Sequence, residues 1–150
     1  MNAAVVEHGS ELARHANLLL ARAVAGEVAA AAGLATLEVI ERPGFYDALN
    51  ETSATLTTAL QEVLDRHGLP AIVAGRNSFW QFLFMGAEPV NQTDIMKSDG
   101  EAMRALDLEF LRRGCYVLPG VRRFVSAVAT DQDLEDSVAA LEGACQAVTG

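Results

Sequence analysis

A run rich in alanine, Ala29–Ile40, limits the possible folds of this chain more than any other stretch. Alanine has the highest helix propensity, and small side chains allow a neighbouring helix or sheet to approach closely. The run therefore predicts a helix that another element covers. Pro43 and Gly44 end this helix, because proline has no backbone N–H to donate and disfavours helix in the preceding residue.

The first helix is expected to begin well before the alanine-rich run. Ser10 can cap a helix that starts at Glu11, where a carboxylate suits the positive end of the helix dipole. Gly26 is the weakest position of this helix, since glycine costs about 1 kcal/mol relative to alanine in a helix interior.

Helical spacing of apolar residues predicts a second helix from about Phe45 to His67. Gly68 ends it with a left-handed cap, and Pro70 prevents its return. The pattern then changes to that of strands.

Two strands are predicted next, Ala71–Ala74 and Ser78–Met85, with a turn at Gly75–Asn77. The second of these strands carries apolar and aromatic residues on both faces, which is typical of a strand covered on both sides. It should therefore lie at the centre of the sheet.

After a loop at Gly86–Thr93, a third helix is expected to start at Asp94 or Ser98 and to end at Gly114. The remaining elements are two short strands and a last helix that begins with a capping box. The strands are Tyr116–Leu118 and Phe124–Val128, and Thr130 and Asp133 form the predicted capping box of the helix.

This order of elements predicts an α+β fold. We expect a small mixed or antiparallel sheet of about three to four strands, with helices mainly on one face and a long N-terminal helix leading into it.

Charge and composition exclude several classes of function. The chain has 20 acidic and 11 basic residues and a net charge of −9, which argues against nucleic acid or an anionic membrane as a partner. No apolar run reaches the length of about 18 residues that a membrane span requires. The N-terminus lacks the pattern of a secretion signal, so we expect a cytoplasmic protein. Cys115 and Cys145 have no metal or redox spacing and are expected to be buried thiols.

Five segments with a characteristic order and spacing lie between Gly26 and the C-terminus. They are Ala29–Ile40, Pro43–Tyr46, Asn77–Phe79, Arg113–Pro119 and Ser126–Asp133. Together they resemble the C-terminal part of class III pyridoxal-phosphate-dependent aminotransferases, and most of all the glutamate-1-semialdehyde 2,1-aminomutase group. By resemblance, residues 26–150 form the small C-terminal domain of a fold-type I enzyme, and residues 1–25 are a helical N-terminal segment that matches nothing in the family. The resemblance also implies pyridoxal phosphate as the cofactor of the parent family, and a homodimer.

The chain departs from the family pattern in two places. Gly26-Glu27 stands where relatives have a Gly-Asn-Pro-like helix start. In the aminomutases a Phe-Glu-Ala-Gly-Phe-like segment with a glutamate precedes the strand at Phe124, whereas this chain reads Val121-Arg122-Arg123. The second difference argues against aminomutase-type handling of a substrate.

Pyridoxal-phosphate chemistry needs a lysine imine, an acidic partner for the pyridine nitrogen and a phosphate cradle. In the family these groups lie mainly in the large domain. The chain has one lysine, Lys97, in a polar segment beside Asp94 and Asp99, which favours a solvated side chain. Its glycines form no phosphate-binding motif. We therefore expect no catalytic and no cofactor-binding residue, and no activity from this chain alone.

Arg122 and Arg123 are the candidate substrate-contact residues. An arginine fork fits a carboxylate, and by resemblance this loop lies beside a position that faces substrate in the aminomutases. The alternative is a pair of arginines that only face solvent.

Other candidate sites are weaker. Four residues near the N-terminus could share one helix face, as metal ligands would, but no His-Glu-x-x-His pattern is present, so we expect no metal site. They are Glu7, His8, Glu11 and His15. His67 is expected to contact a helix C-terminus, Ser78 and Ser126 lack a triad arrangement, and Trp80 is expected in the core.

Two hypotheses about function follow. The chain is a small-domain portion of an aminotransferase or aminomutase-like enzyme that requires a large pyridoxal-phosphate domain. Alternatively, it is a free-standing module that dimerises through the alanine-rich helix or holds a small ligand.

Overall fold

The computed structural model describes residues 26–150. The described residues fall into two units, 26–45 and Tyr46–Gly150. In the first unit, residues 26–40 are helical (α1), and the side chains of residues 26–39 are exposed. The helix ends before Pro43, as predicted. The expected helix start at Ser10 lies outside the described residues, and the covering of the alanine-rich run stays a prediction.

From the end of the first unit onward, helices and strands follow each other in a mixed order. They are α2 Phe45–Arg66, β1 Ile72–Arg76, β2 Phe79–Leu83, α3 Gln92–Ile95, α4 Gly100–Arg112, β3 Arg123–Phe124 and α5 Asp131–Thr149. The strands form an antiparallel sheet in the order β1-β2-β3, which confirms the predicted α+β fold and the central position of β2. Within residues 26–150, no helix is long and apolar enough to cross a membrane.

The core lies between the sheet and helices α2, α4 and α5. Leu60 of α2, Phe82 of β2, Leu106 of α4 and Leu141 of α5 are each completely buried. The rings of Phe82 and Phe110 meet edge to face with centroids 6.1 Å apart, a favourable aromatic geometry. One face of the sheet, which we call the inner face, is thereby packed against the helices.

Helix ends follow the sequence signals closely. Gly68 after α2 has φ +63° and Gly114 after α4 has φ +95°, the left-handed conformation that glycine adopts without a steric penalty. At α5 the Thr130 side chain accepts a hydrogen bond from Asp133 N–H, and the Asp133 carboxylate accepts one from Thr130 N–H. The predicted capping box is confirmed.

The hairpin between β1 and β2 differs from the prediction. Its turn consists of Asn77 and Ser78, while Gly75 and Arg76 belong to β1. Asn77 adopts φ +56°, which asparagine tolerates better than most residues and which two-residue hairpins require. Gly75 is needed for a different reason: a Cβ there would lie 2.6 Å from Trp80 Cα.

The start of the third helix was predicted wrongly. Asp94 lies in the short helix α3, and α4 begins at Gly100. Asp99 caps α4 by accepting hydrogen bonds from the N–H groups of Glu101 and Ala102, both at 3.0 Å. The sequence offered several possible capping side chains within six residues, and propensity alone does not choose among them.

The strand predicted at Tyr116–Leu118 is absent, and the strand predicted at Phe124–Val128 is reduced to β3. Val125 N–H still donates to Ser78 O, but a turn at Ser126–Ala129 then takes the chain away from the sheet. β-branched and aromatic residues suit exposed extended segments as well as strands, so this composition overestimates sheet pairing.

Candidate functional site

The two candidate arginines lie beside a cavity along β3. The cavity has a volume of about 410 Å³ and is bounded by the loop after α4, by β3 and by the start of α5. Apolar side chains form most of its wall, including Leu56, Trp80, Phe110 and Leu134. Arg122 and Arg123 both contribute to its lining, so the structure places the two residues at one site.

Arg123 points into the inner face, and only 6% of its side chain is exposed. Its Nη2 donates to Asp107 Oδ1, and Asp107 Oδ2 accepts a hydrogen bond from Gly120 N–H at 2.7 Å. The guanidinium carbon lies 5.0 Å from the ring centroid of Trp80 and 4.7 Å from that of Phe82. These contacts fix Arg123 within the core of the domain.

Burial governs the electrostatics of this pair. Loss of solvation raises the pKa of the Asp107 carboxyl, and the nearby Arg123 charge and the Gly120 N–H only partly offset the rise. The same loss of solvation lowers the pKa of the Arg123 guanidinium. Arg123 Nε and Nη1 have no hydrogen-bond partner among the described residues and are themselves buried. The pair therefore has the properties of a structural ion pair.

Arg122 has the opposite environment although it is the adjacent residue. It is exposed, and its guanidinium carbon lies 5.7 Å from the ring centroid of Phe79. The Phe79 ring lies 6.0 Å from that of Phe124, whose residue is 73% exposed. Among residues 26–150, no carboxylate forms an ion pair with Arg122. We call Phe79, Arg122 and Phe124 the outer patch.

The two arginines lie on opposite faces of the sheet, because side chains alternate between the two faces of an extended segment. Arg123 lies opposite Trp80 in the sheet register, and Phe124 lies opposite Phe79. Arg122 can bind a carboxylate or another anion from solvent, whereas Arg123 is already paired with the buried carboxylate of Asp107.

Lys97 lies away from any enclosed site. Its side chain is 68% exposed, and Nζ lies 2.8 Å from Asp94 Oδ1. The ammonium group donates this hydrogen bond to the Asp94 carboxylate. Together with the Val90 N–H it stabilises the charged form of Asp94 and so lowers the pKa of that carboxyl.

His67 has a carboxylate partner that the sequence did not predict. Its Nε2 lies 2.6 Å from Glu142 Oε1, and Arg66 Nη2 donates to Glu142 Oε2 at 2.7 Å. These contacts join the end of α2 to α5 and lower the pKa of the Glu142 carboxyl. Arg66, His67 and Glu142 therefore connect α2 to α5.

For the remaining candidates, the structure shows local contacts or burial within the residues that it describes. Ser126 Oγ accepts a hydrogen bond from Val128 N–H at 3.3 Å, as in a local turn. No group of three potential metal ligands occurs within residues 26–150, and the residues His8 and His15 lie outside that range. Cys115 is half-buried, and Cys145 is buried with a pKa raised to about 11 by loss of solvation.

Asp107 is the residue of this site that the sequence reasoning missed. It is completely buried, although aspartate is almost never found so unless it is paired. A signal was present in the sequence, because Asp107 stands four residues after Met103 and three before Phe110, and helical spacing places it on one face with these two apolar residues. A carboxylate on such a face indicates a buried cationic partner.

The fold first defines the class of protein. The structure superposes on an aminomutase from Pseudomonas aeruginosa, a glutamate-1-semialdehyde-aminomutase, with a TM-score of 0.61 at 21% identity over 70% of this chain and 23% of that one. It superposes on an omega-transaminase from Sphaerobacter thermophilus with a TM-score of 0.60 at 19% identity over 72% of this chain and 25% of that one. The architecture is that of the small domain of aminotransferases.

Sequence similarity then points to the aminomutases. The chain is 37% identical over 115 residues to the glutamate-1-semialdehyde 2,1-aminomutase of Paracidovorax citrulli, covering 75% of this chain and 26% of the relative. It is 36% identical over 140 residues to that of Albidiferax ferrireducens, covering 91% and 31%. No protein-family model matches the sequence. The chain is similar in sequence to one portion of the glutamate-1-semialdehyde 2,1-aminomutases and has a fold found in pyridoxal-phosphate aminotransferases, and it spans less than a third of the length of these curated relatives.

Proposed function

We propose that the chain is the small-domain portion of an aminotransferase or aminomutase-like enzyme and does not transfer amino groups by itself. One observation carries this proposal. The chain matches the aminomutases over up to 91% of its own length but over no more than 31% of theirs, and its one lysine is exposed. The proposed partner is a large pyridoxal-phosphate domain.

The described residues do not fit a pyridoxal-phosphate site. A lysine that forms an imine must reach its uncharged state, which burial or nearby cations favour. Lys97 instead lies in solvent with its ammonium group beside Asp94. We therefore derive no chemical step through the cofactor from this chain.

We also propose that Arg122 contacts the carboxylate of a substrate in the complete enzyme. Its guanidinium is exposed, stacks on Phe79 and has no carboxylate partner among the described residues. A guanidinium in this state can accept a carboxylate with two parallel hydrogen bonds. Arg123, the other candidate, is already committed to Asp107.

A free-standing dimerisation module is the second candidate function. The observation that favours it is the exposure of large apolar residues on α1, where Val28 and Leu34 are each 63% exposed. Apolar patches of this kind often mark protein–protein contacts.

Cys115 and Cys145 are both free thiols, which supports a cytoplasmic location.

Cofactor binding can be tested directly on the full chain. Mixed with pyridoxal phosphate, the protein should show no stable imine absorption band and no borohydride-fixed adduct beyond that of the Lys97→Ala variant. It should also transfer no amino group from an amino donor to a keto acid. A stoichiometric adduct at Lys97 together with turnover would show that the chain is a complete catalyst.

Sedimentation of the same protein separates the two candidate functions. A dimer that dissociates when Leu34 is replaced by Asp supports the dimerisation module. A strict monomer over the accessible concentration range counts against it and leaves the enzyme portion as the favoured function.

A further inference from the structure

We infer that Asp107 is a positioning residue for Arg122, acting through Gly120 and Arg123. Its carboxylate fixes the chain on both sides of Arg122 and so keeps that side chain on the outer patch. The inference rests on the proposed contact between Arg122 and a carboxylate.

The two oxygens of Asp107 hold two different kinds of group. Oδ2 accepts a hydrogen bond from the main-chain N–H of Gly120 at 2.7 Å, and Oδ1 accepts one from the side chain of Arg123. Gly120 lies two residues before Arg122, and Arg123 follows it directly. Arg122 is therefore confined between two anchors that share one buried carboxylate.

β3 is too short to hold this segment by strand pairing. It contains two residues, which pair with β2 as Phe124 opposite Phe79 and Arg123 opposite Trp80, and the Val125 N–H adds one hydrogen bond to Ser78 O. Short ladders of this kind give little stability by themselves. All of these contacts to β2 lie after Arg122 in the chain, whereas the hydrogen bond from Gly120 N–H to Asp107 restrains the segment before it.

The ion pair also determines which arginine faces outward. A shift of the strand by one residue would turn Arg122 into the core and Arg123 to solvent, since side chains alternate between faces. The apolar inner face admits a guanidinium only where a carboxylate meets it, and Asp107 provides that carboxylate at the depth of Arg123. Trp80 and Phe82 stack against the guanidinium in this register.

The test replaces the anchor without leaving a buried charge. In the double variant Asp107→Leu/Arg123→Met the pair becomes apolar, an exchange that proteins often tolerate well. The matched control is Arg66→Met/Glu142→Leu, which removes the ion pair between α2 and α5 and leaves Arg122 untouched. Each variant is made in the full 150-residue chain.

Three readouts are recorded by nuclear magnetic resonance. They are the hydrogen exchange rate of the Gly120 amide, the heteronuclear NOE of the Arg122 Nε–H group without ligand, and the dissociation constant of glutarate from shifts at that group. We expect the double variant to accelerate Gly120 exchange about a hundredfold, to lower the NOE and to weaken glutarate binding about tenfold. The control should leave all three values unchanged.

Each result either supports or overturns the inference. A double variant whose Gly120 exchange and Arg122 NOE match those of the parent overturns it, whatever the glutarate affinity. Where Arg122→Met does weaken glutarate binding, a loosened Arg122 with unchanged glutarate affinity also overturns the inference, because positioning would then have no consequence for binding.

The proposed contact itself is tested separately. If Arg122→Met does not weaken glutarate binding, the proposed carboxylate contact fails, while exchange and NOE still decide whether Asp107 positions the segment. If the double variant does not fold, Asp107→Asn takes its place. That variant keeps an acceptor for Gly120 but loses the charge, and we expect the Gly120 amide to stay protected while the Arg122 NOE falls.

Discussion

The two faces of the three-stranded sheet differ in what holds their side chains. On the inner face, Trp80 and Phe82 are buried and Arg123 is paired with Asp107. On the outer patch, Phe124 is 73% exposed and the Arg122 guanidinium lies against the Phe79 ring. Residues that are neighbours in sequence thus have opposite surroundings.

This difference separates stability from recognition within one short segment. Residues of the inner face lose contacts when they are changed, so they determine whether the domain folds. Outer-patch residues are free to contact a ligand or another domain, and changing them should cost little folding energy. The following predictions test how complete this separation is.

The largest effect is expected for an aromatic residue of the inner face. Phe82→Ala removes a completely buried ring and should lower the free energy of unfolding by about 3–5 kcal/mol. Phe124→Ala removes a ring of the same size from the outer patch and should cost less than about 0.5 kcal/mol. Urea unfolding of both variants gives the two values. Similar costs would mean that the outer patch is covered in the folded protein.

A smaller effect is expected where the backbone of the hairpin is tightly packed. In Gly75→Ala the new methyl group would meet Phe79 O and lie 2.6 Å from Trp80 Cα, so β1 must shift away from β2. We expect a loss of about 2 kcal/mol, within the range for overpacked sites. Gly86→Ala is the control, because nothing lies within 4 Å of a Cβ there. Thermal unfolding should show a lower midpoint for the first variant alone.

The start of α5, where the chain leaves the sheet, should show an effect of about 1 kcal/mol. Thr130→Ala removes the side chain that accepts from Asp133 N–H and thus half of the capping box. Thr58→Ala, in the exposed middle of α2, should be neutral or slightly stabilising because alanine is the better helix former. Equal losses in chemical denaturation would show that the cap does not matter.

The smallest effect concerns the link between α2 and α5, away from both faces. Arg66 and His67 lower the pKa of Glu142, so in the folded protein its carboxyl binds a proton less readily than in the unfolded chain. The stabilisation is present above the unfolded pKa of about 4.3 and is lost as the pH falls through the folded pKa. Between pH 6 and pH 3 the parent should lose more stability than Glu142→Gln. The exposed Glu62→Gln variant should follow the parent.

Much of the fold could be predicted because its signals are local. The ends of α2 and α4 depend on Gly68 and Gly114, and the start of α5 depends on Thr130 and Asp133. Apolar spacing gave the buried faces of the helices, and the aromatic content of Phe79–Leu83 gave the central strand.

The site was harder to predict, because a contact between α4 and β3 determines it. Both Arg122 and Arg123 were predicted to be candidates for contact with substrate, yet the alternation of an extended segment places them on opposite faces. The partner that fixes this arrangement, Asp107, lies 16 residues away from Arg123 in sequence. Only the helical period of α4 hinted that its carboxylate is buried. The missing strand at Tyr116–Leu118 has a similar cause, since residue types alone do not give a strand its pairing partner.

The most direct measurement compares Arg122→Met with Arg123→Met in urea unfolding at pH 7. We predict that Arg123→Met lowers the free energy of unfolding by about 3 kcal/mol, because it leaves the buried Asp107 without its cation. Arg122→Met should change it by less than about 0.5 kcal/mol. Equal losses, or a larger loss for Arg122→Met, would contradict the division of roles between the two faces.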